Sequence, residues 1–198
     1  HPAPPPLPPE AQYPEIPAGE ALEKAKISAA NKLRSSSPSP EGRVPLYRLL
    51  LQAESEADSY HLLLTSAQEV EQLTQGGPGQ PNSKERTGFV NQGIIGCVSG
   101  AEKDGSVPLY HIGSFHHRPV DNIYTIDAEQ ARRQRGYSFG SIIGFAFSTQ
   151  VEGTIPIYSH SNGKTHLYLS NQAESDRLTA EGWKPEGVVF YLFPAARP

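Results

Sequence analysis

The chain has 198 residues, 17 of them Lys or Arg and 21 Asp or Glu, for a formal charge of -4. That balance lacks the basic footprint that nucleic acid or an anionic membrane surface selects, so neither is an expected partner. No apolar run approaches the roughly 18 residues a membrane helix needs, and the length suits one domain with a tail.

From the N-terminus, HPAPPPLPPEAQYPEIPAG is held near polyproline II by its prolines and offers few apolar groups to a core. It is expected to be a spacer or a surface-draped arm, dispensable for folding. The chain begins at His1 and contains no Met, which fits removal of a leader and predicts a secreted, extracellular protein. Next, EALEKAKISAANKLR places Leu22, Ala25, Ala29 and Leu33 at helical spacing, and SSSPSP ends it. Residues 1–43 therefore read as arm, short helix and linker.

From Val44 onward one unit is written three times, over 44–106, 107–154 and 155–198. The copies open on VPLY, VPLY and IPIY. The first is the longest because of GGPGQPNSKERT (76–87), whose Gly, Pro, Asn and Ser content predicts an exposed loop. In each middle a capping residue has Glu or Gln three positions on: Ser66 with Glu69, Asp127 with Gln130, Asn171 with Glu174. A side-chain oxygen there satisfies a free N–H at a helix start, so three helices begin at these points. Gly76, Gly136 and Gly182 close them, since glycine turns left-handed without steric cost. Flanking segments with apolar and aromatic residues at β spacing make each copy β-β-α-β, the last strand bent at Gly93, Ser141 and Gly187. Such a unit cannot cover its own apolar face. The expected fold is α+β, mainly antiparallel β: a closed pseudo-threefold repeat, β-trefoil-like, with one short helix per lobe.

No G-x-S-x-G, H-E-x-x-H or G-x-x-x-x-G-K stretch is present, so no catalytic residue is expected. His111, His116 and His117 lie near one another, but no Cys or carboxylate completes a short-spaced site, and neither metal nor other cofactor is expected. The lone Cys97 sits in an apolar run and reads as a small buried hydrophobe. Phe89, Tyr137 and Trp183 are equivalent after the closing glycines, as are Tyr47, Tyr110 and Tyr158 in the opening strands. Aromatic residues at equivalent positions normally fill a shared interior. They also cover the apolar side of sugars while Asp, Asn, His or Gln fix the hydroxyls.

The order Leu-Tyr, then Asp-His-Phe-Tyr-Thr-Thr-Ser-x-x-Glu, then Gly-Tyr-x-x-Glu-Gly and Tyr-Val-Phe belongs to a repeat domain of unknown function attached to secreted hydrolases and peptidases. This chain resembles it from Val44 to Pro194. The family's Asp-His falls on Tyr60 and His61, Asp121 and Asn122, Thr165 and His166, so no copy keeps both. Its Tyr is kept at Tyr124 and Tyr168 and is Leu63 in the first copy; its Glu-Gly is Gln92-Gly93, Gly140-Ser141 and Glu186-Gly187. The resemblance implies an accessory module that engages glycans or cell-wall surfaces through one or two functional lobes. The candidate ligand-binding residues are His61, Asp121, Asn122, Tyr124, His166, Tyr168, Trp183 and Glu186. Two other readings stay open: a protein-binding module, such as a hydrolase inhibitor or effector using the 76–87 loop, and a small glycoside hydrolase.

Overall fold

The computed structural model describes residues 1–36, 39–75, 88–103 and 105–195. The 76–87 loop, Gly76 included, lies outside them, so the docking-arm expectation falls outside the described residues. Helix α1 (Gly19–Arg34) precedes the three copies. The first holds β1 (Arg43–Leu51), β2 (Tyr60–Leu64), α2 (Ala67–Thr74) and β3 (Phe89–Ser99). The second holds β4 (Ser106–Gly113), β5 (Asn122–Thr125), α3 (Ala128–Arg132) and β6 (Ser138–Phe147). The third holds β7 (Ile155–Ser161), β8 (His166–Leu169), α4 (Gln172–Ala180) and β9 (Lys184–Leu192). The chain is an internal repeat of β-rich units, α+β and mainly antiparallel. Among the described residues no helix is long and apolar enough to cross a membrane.

Each helix starts where the capping residue directs it. Ser66, Asp127 and Asn171 accept from the backbone N–H of Glu69, Gln130 and Glu174. The return half of the expected box is redirected, because better partners stand nearby. Glu174 takes Arg48, Glu69 faces Lys32 of α1, and Gln130 Oε1 accepts from Thr125 Oγ1. Gly136 and Gly182 hold positive φ, as left-handed closure requires.

Within every copy the first strand pairs antiparallel with both others. Tyr47 stands opposite Leu64 and Ile94, Tyr110 opposite Thr125 and Ile142, Tyr158 opposite Leu169 and Val188. The register shifts on both sides of those tyrosines, the second shift in each copy falling at the bends expected near Gly93, Ser141 and Gly187. A bulge there twists the strand and re-aims its N-terminal half. The third strands meet one another: Ser99 pairs with Phe145, Phe147 with Tyr191, and Cys97 with Phe193.

The main core gathers Leu46, Leu109 and Ile157 from the three opening strands. Opposite them in register stand Gly96, Gly144 and Phe190. One copy supplies a large ring where the other two supply nothing, so the summed volume fits the interior. A Cβ on Gly144 would lie 2.5 Å from Val98 Cγ2, which is why glycine is needed there.

Of the two forms expected for the arm, the structure shows the draped one and not a free spacer. Pro14 and Ile16 are buried, and Gly136 N–H donates to Gln12 O at 2.7 Å. Leu22, Ala25 and Ala29 of α1 join Ile16 on Tyr110, Ile112 and Ile142 of the second copy, while Leu33 enters the main core. Among so many prolines, one isoleucine gave no periodic signal of burial.

Candidate functional site

The predicted site residues come together at boundaries between copies, at two separate places. Between the second and third copies, the first residues of β5 and β8 and the bulges of β9 bring acids and an imidazole into contact. Asp121, buried just before β5, accepts from the His166 backbone N–H (2.8 Å) and the Tyr137 hydroxyl (2.6 Å), and lies 2.8 Å from His166 Nδ1. His166 Nε2 stands 3.4 Å from Glu186 Oε1, which accepts from Ser159 Oγ at 2.7 Å. Burial by itself lowers the His166 pKa. The bond to Asp121 and the charges of Asp121 and Glu186 outweigh it, and the net shift is upward. Burial, then the bond to Asp121, pushes the Tyr137 phenol up, so it donates and stays neutral. Tyr137, Ser159, His166 and Glu186 border a groove of about 610 Å³.

Between the third and first copies, His61 meets Trp183 edge to face, with ring centroids 6.5 Å apart. The pairing matches Tyr137 and His166 by repeat position: the aromatic residue after one closing glycine faces the start of the next copy's second strand. Trp183 packs its inner side on Leu167, Leu169 and Leu178 and is partly exposed on the other. It lines a cleft of about 840 Å³ with Leu50, Gln52, Ser59, Asn162 and Glu181. Burial first, and then the Arg48 charge, pulls the His61 pKa down to about 3. Its Nδ1 is buried with no hydrogen-bond partner among the described residues.

Three predicted residues fasten copies together and face inward. Tyr124, 2% exposed, takes the Leu63 N–H on its hydroxyl at 2.8 Å. Tyr168, 3% exposed, takes the Tyr124 N–H at 2.9 Å. Asn122 is also buried; its amide donates to His61 O at 2.9 Å and its Oδ1 lies 2.8 Å from His111 Nε2. All three are nearly covered and their bonds tie one copy to the next, while Tyr124 and Tyr168 also line the groove of about 610 Å³. His61, Asp121, His166, Trp183 and Glu186 lie along the same boundaries.

Sequence reasoning missed Arg48. Its guanidinium donates to both carboxylate oxygens of Glu174 (2.9 and 2.7 Å), to Tyr168 O (2.9 Å) and, through Nε, to Gln92 Oε1 (2.8 Å). The bond from Arg48 holds the Glu174 carboxyl below its ordinary range. Only its position after the opening tyrosine, shared with His111 and Ser159, marked it as a boundary position. Among the described residues no group of three or more His, Cys, Asp or Glu side chains is placed to hold a metal ion.

No curated protein and no solved structure matches the chain. A family profile described as "Domain of unknown function (DUF5648)" matches residues 31–134 and, overlapping, 82–193. Those two spans take in all three copies and leave out the arm and most of α1, so the chain belongs to this family of unknown function, and its N-terminal segment is what it adds to the matched region.

Proposed function

We propose that the protein is a secreted, non-enzymatic module that binds glycans, with its three copies closed about a shared axis in a β-trefoil-like arrangement. The closure is supported by the cyclic order in which the third strands pair, first to second, second to third and third to first. The binding site is the cleft between the third and first copies.

One observation carries the glycan reading: Trp183 forms a wall of that cleft, packed behind and open in front, beside the planar or charged ends of Gln52, Asn162 and Glu181. An indole face covers the C–H side of a sugar ring, and amides and carboxylates bond its hydroxyls in pairs. With one stacking residue and an open cleft, affinity falls in the millimolar to micromolar range, about -4 to -8 kcal/mol.

A glycan array probed with the intact chain, followed by calorimetry on hits, tests this. The indole emission shifts on adding a bound glycan, and Trp183→Ala weakens binding by roughly 1–3 kcal/mol while the chain still melts cooperatively. A folded Trp183→Ala protein that binds the same glycan equally well would falsify the assignment.

A further inference from the structure

The three boundaries carry matching grooves. Ile94, Ile142 and Val188 occupy one repeat position, each opposite an opening-strand tyrosine. Across each groove stands the capping partner of the neighbouring copy, Glu174, Glu69 or Gln130. Between the first and second copies the groove is already filled: Ala29, Lys32 and Leu33 of α1 line it, and about 80 Å³ is left. Lys32 Nζ lies 3.9 Å from Glu69 Oε1. As a result Ile142 is 6% exposed, whereas Ile94 and Val188 are 39% and 43% exposed.

The two unfilled grooves differ at the residue after the opening tyrosine. Arg48 reaches across the boundary between the third and first copies and occupies Glu174. Between the second and third copies that residue is Ser159, which turns to Glu186, and the capping partner is the neutral Gln130, which pairs with Thr125, so no ion pair joins these two positions across the groove. Its floor is Ile126, Val188 and Val189, and Asp127 and Glu186 stand exposed along it.

We propose that this groove docks an amphipathic helix of a partner protein, seated as α1 is seated in its own groove. Small and leucine side chains at helical spacing would cover Val188 and Val189, as Leu22, Ala25 and Ala29 cluster with Ile142. A Lys or Arg of the helix would lie beside Asp127 and Glu186, as Lys32 lies beside Glu69. The proposal is independent of the glycan cleft, which sits at another boundary.

A synthetic peptide with the sequence of residues 19–34, acetylated and amidated, is the probe, titrated into the intact chain and followed by methyl resonances. An isolated helix of this length is marginal in water, so binding is weak. The methyls of Val188, Val189 and Ile126 should shift while Ile142 stays still. Val188→Asp, at an exposed position, should leave melting unchanged and weaken the peptide by about tenfold or more. A peptide in which the Lys of position 32 is Glu should bind more weakly still. The proposal fails if these methyls do not respond at millimolar peptide, if Ile142 or Ile94 responds instead, or if Val188→Asp changes nothing.

Discussion

Two boundaries between copies are fastened by a tyrosine and the third by an arginine. Tyr124 reaches back to the Leu63 N–H, and Tyr168 reaches back to the Tyr124 N–H. The third member of that series is Leu63, which carries no hydroxyl. Arg48 closes that boundary from another strand, bonding Tyr168 O and Glu174 together. A divergent repeat thus keeps its contact by moving it, at the expense of burying a charge. The tyrosine link is neutral, so its loss exposes one unpaired N–H; the arginine link is ionic, so its loss leaves the Glu174 carboxylate with only the exposed Arg177 at 3.7 Å.

Arg48→Ala breaks the comparison at its strongest point. It should cost about 3 kcal/mol, the low end for a broken buried pair, because Glu174 is 24% exposed and keeps only Arg177 at 3.7 Å while the Tyr168 carbonyl loses its donor. Denaturant unfolding measures it. Replacing both, Arg48→Met with Glu174→Leu, should recover most of that loss, since two apolar groups need no desolvation of charge. A double variant as unstable as Arg48→Ala alone would mean that the bonds to Tyr168 O and Gln92 matter more than the ion pair.

That contrast also marks what was legible in the sequence. Short-range chemistry was: a side-chain oxygen three residues before its N–H, a glycine where φ turns positive, alternating strands opposite one another. Each depends on neighbours along the chain. Arg48 and Glu174 are 126 residues apart, and Glu174 already had a local role in the capping pattern. The same limit applies to the site. His166 and Trp183 belong to one copy, yet they face opposite neighbours, because the start of β8 touches the preceding copy and the start of β9 the following one. Adjacency within a copy suggested one site where the fold makes two.

Tyr124→Phe and Tyr168→Phe test the neutral half. Each removes one hydroxyl and leaves a buried N–H, of Leu63 or Tyr124, without its acceptor, at a cost of about 1–3 kcal/mol. Burial puts both phenols above their ordinary pKa, so neither contributes charge and the losses should be the same at any pH between 5 and 9. A loss that changed across that range would show that the hydroxyls are coupled to a titrating neighbour such as His166.

The smallest effect separates the two boundaries by pH. His166 has a raised pKa, so its protonated form is the one the fold favours, between Asp121 and Glu186. Its contribution is complete below the unfolded value of about 6.5 and disappears as pH rises through the higher folded value. His61 runs the other way. Its pKa falls to about 3, so the fold favours the neutral ring, and stability is lost as pH drops from about 6.5 toward 3. Wild type and His166→Gln share His61 and the other lowered histidines, His111 and His160, whose pH dependence cancels in the difference between the two proteins. That difference should therefore be largest and flat from pH 5 to about 6.5, then shrink on the alkaline side. Denaturant midpoints at half-unit intervals from pH 5 to 9 read it directly. A difference that stayed constant to pH 9 would mean that Asp121 holds His166 by geometry alone, and that the imidazole at this boundary is neutral like the one at the next.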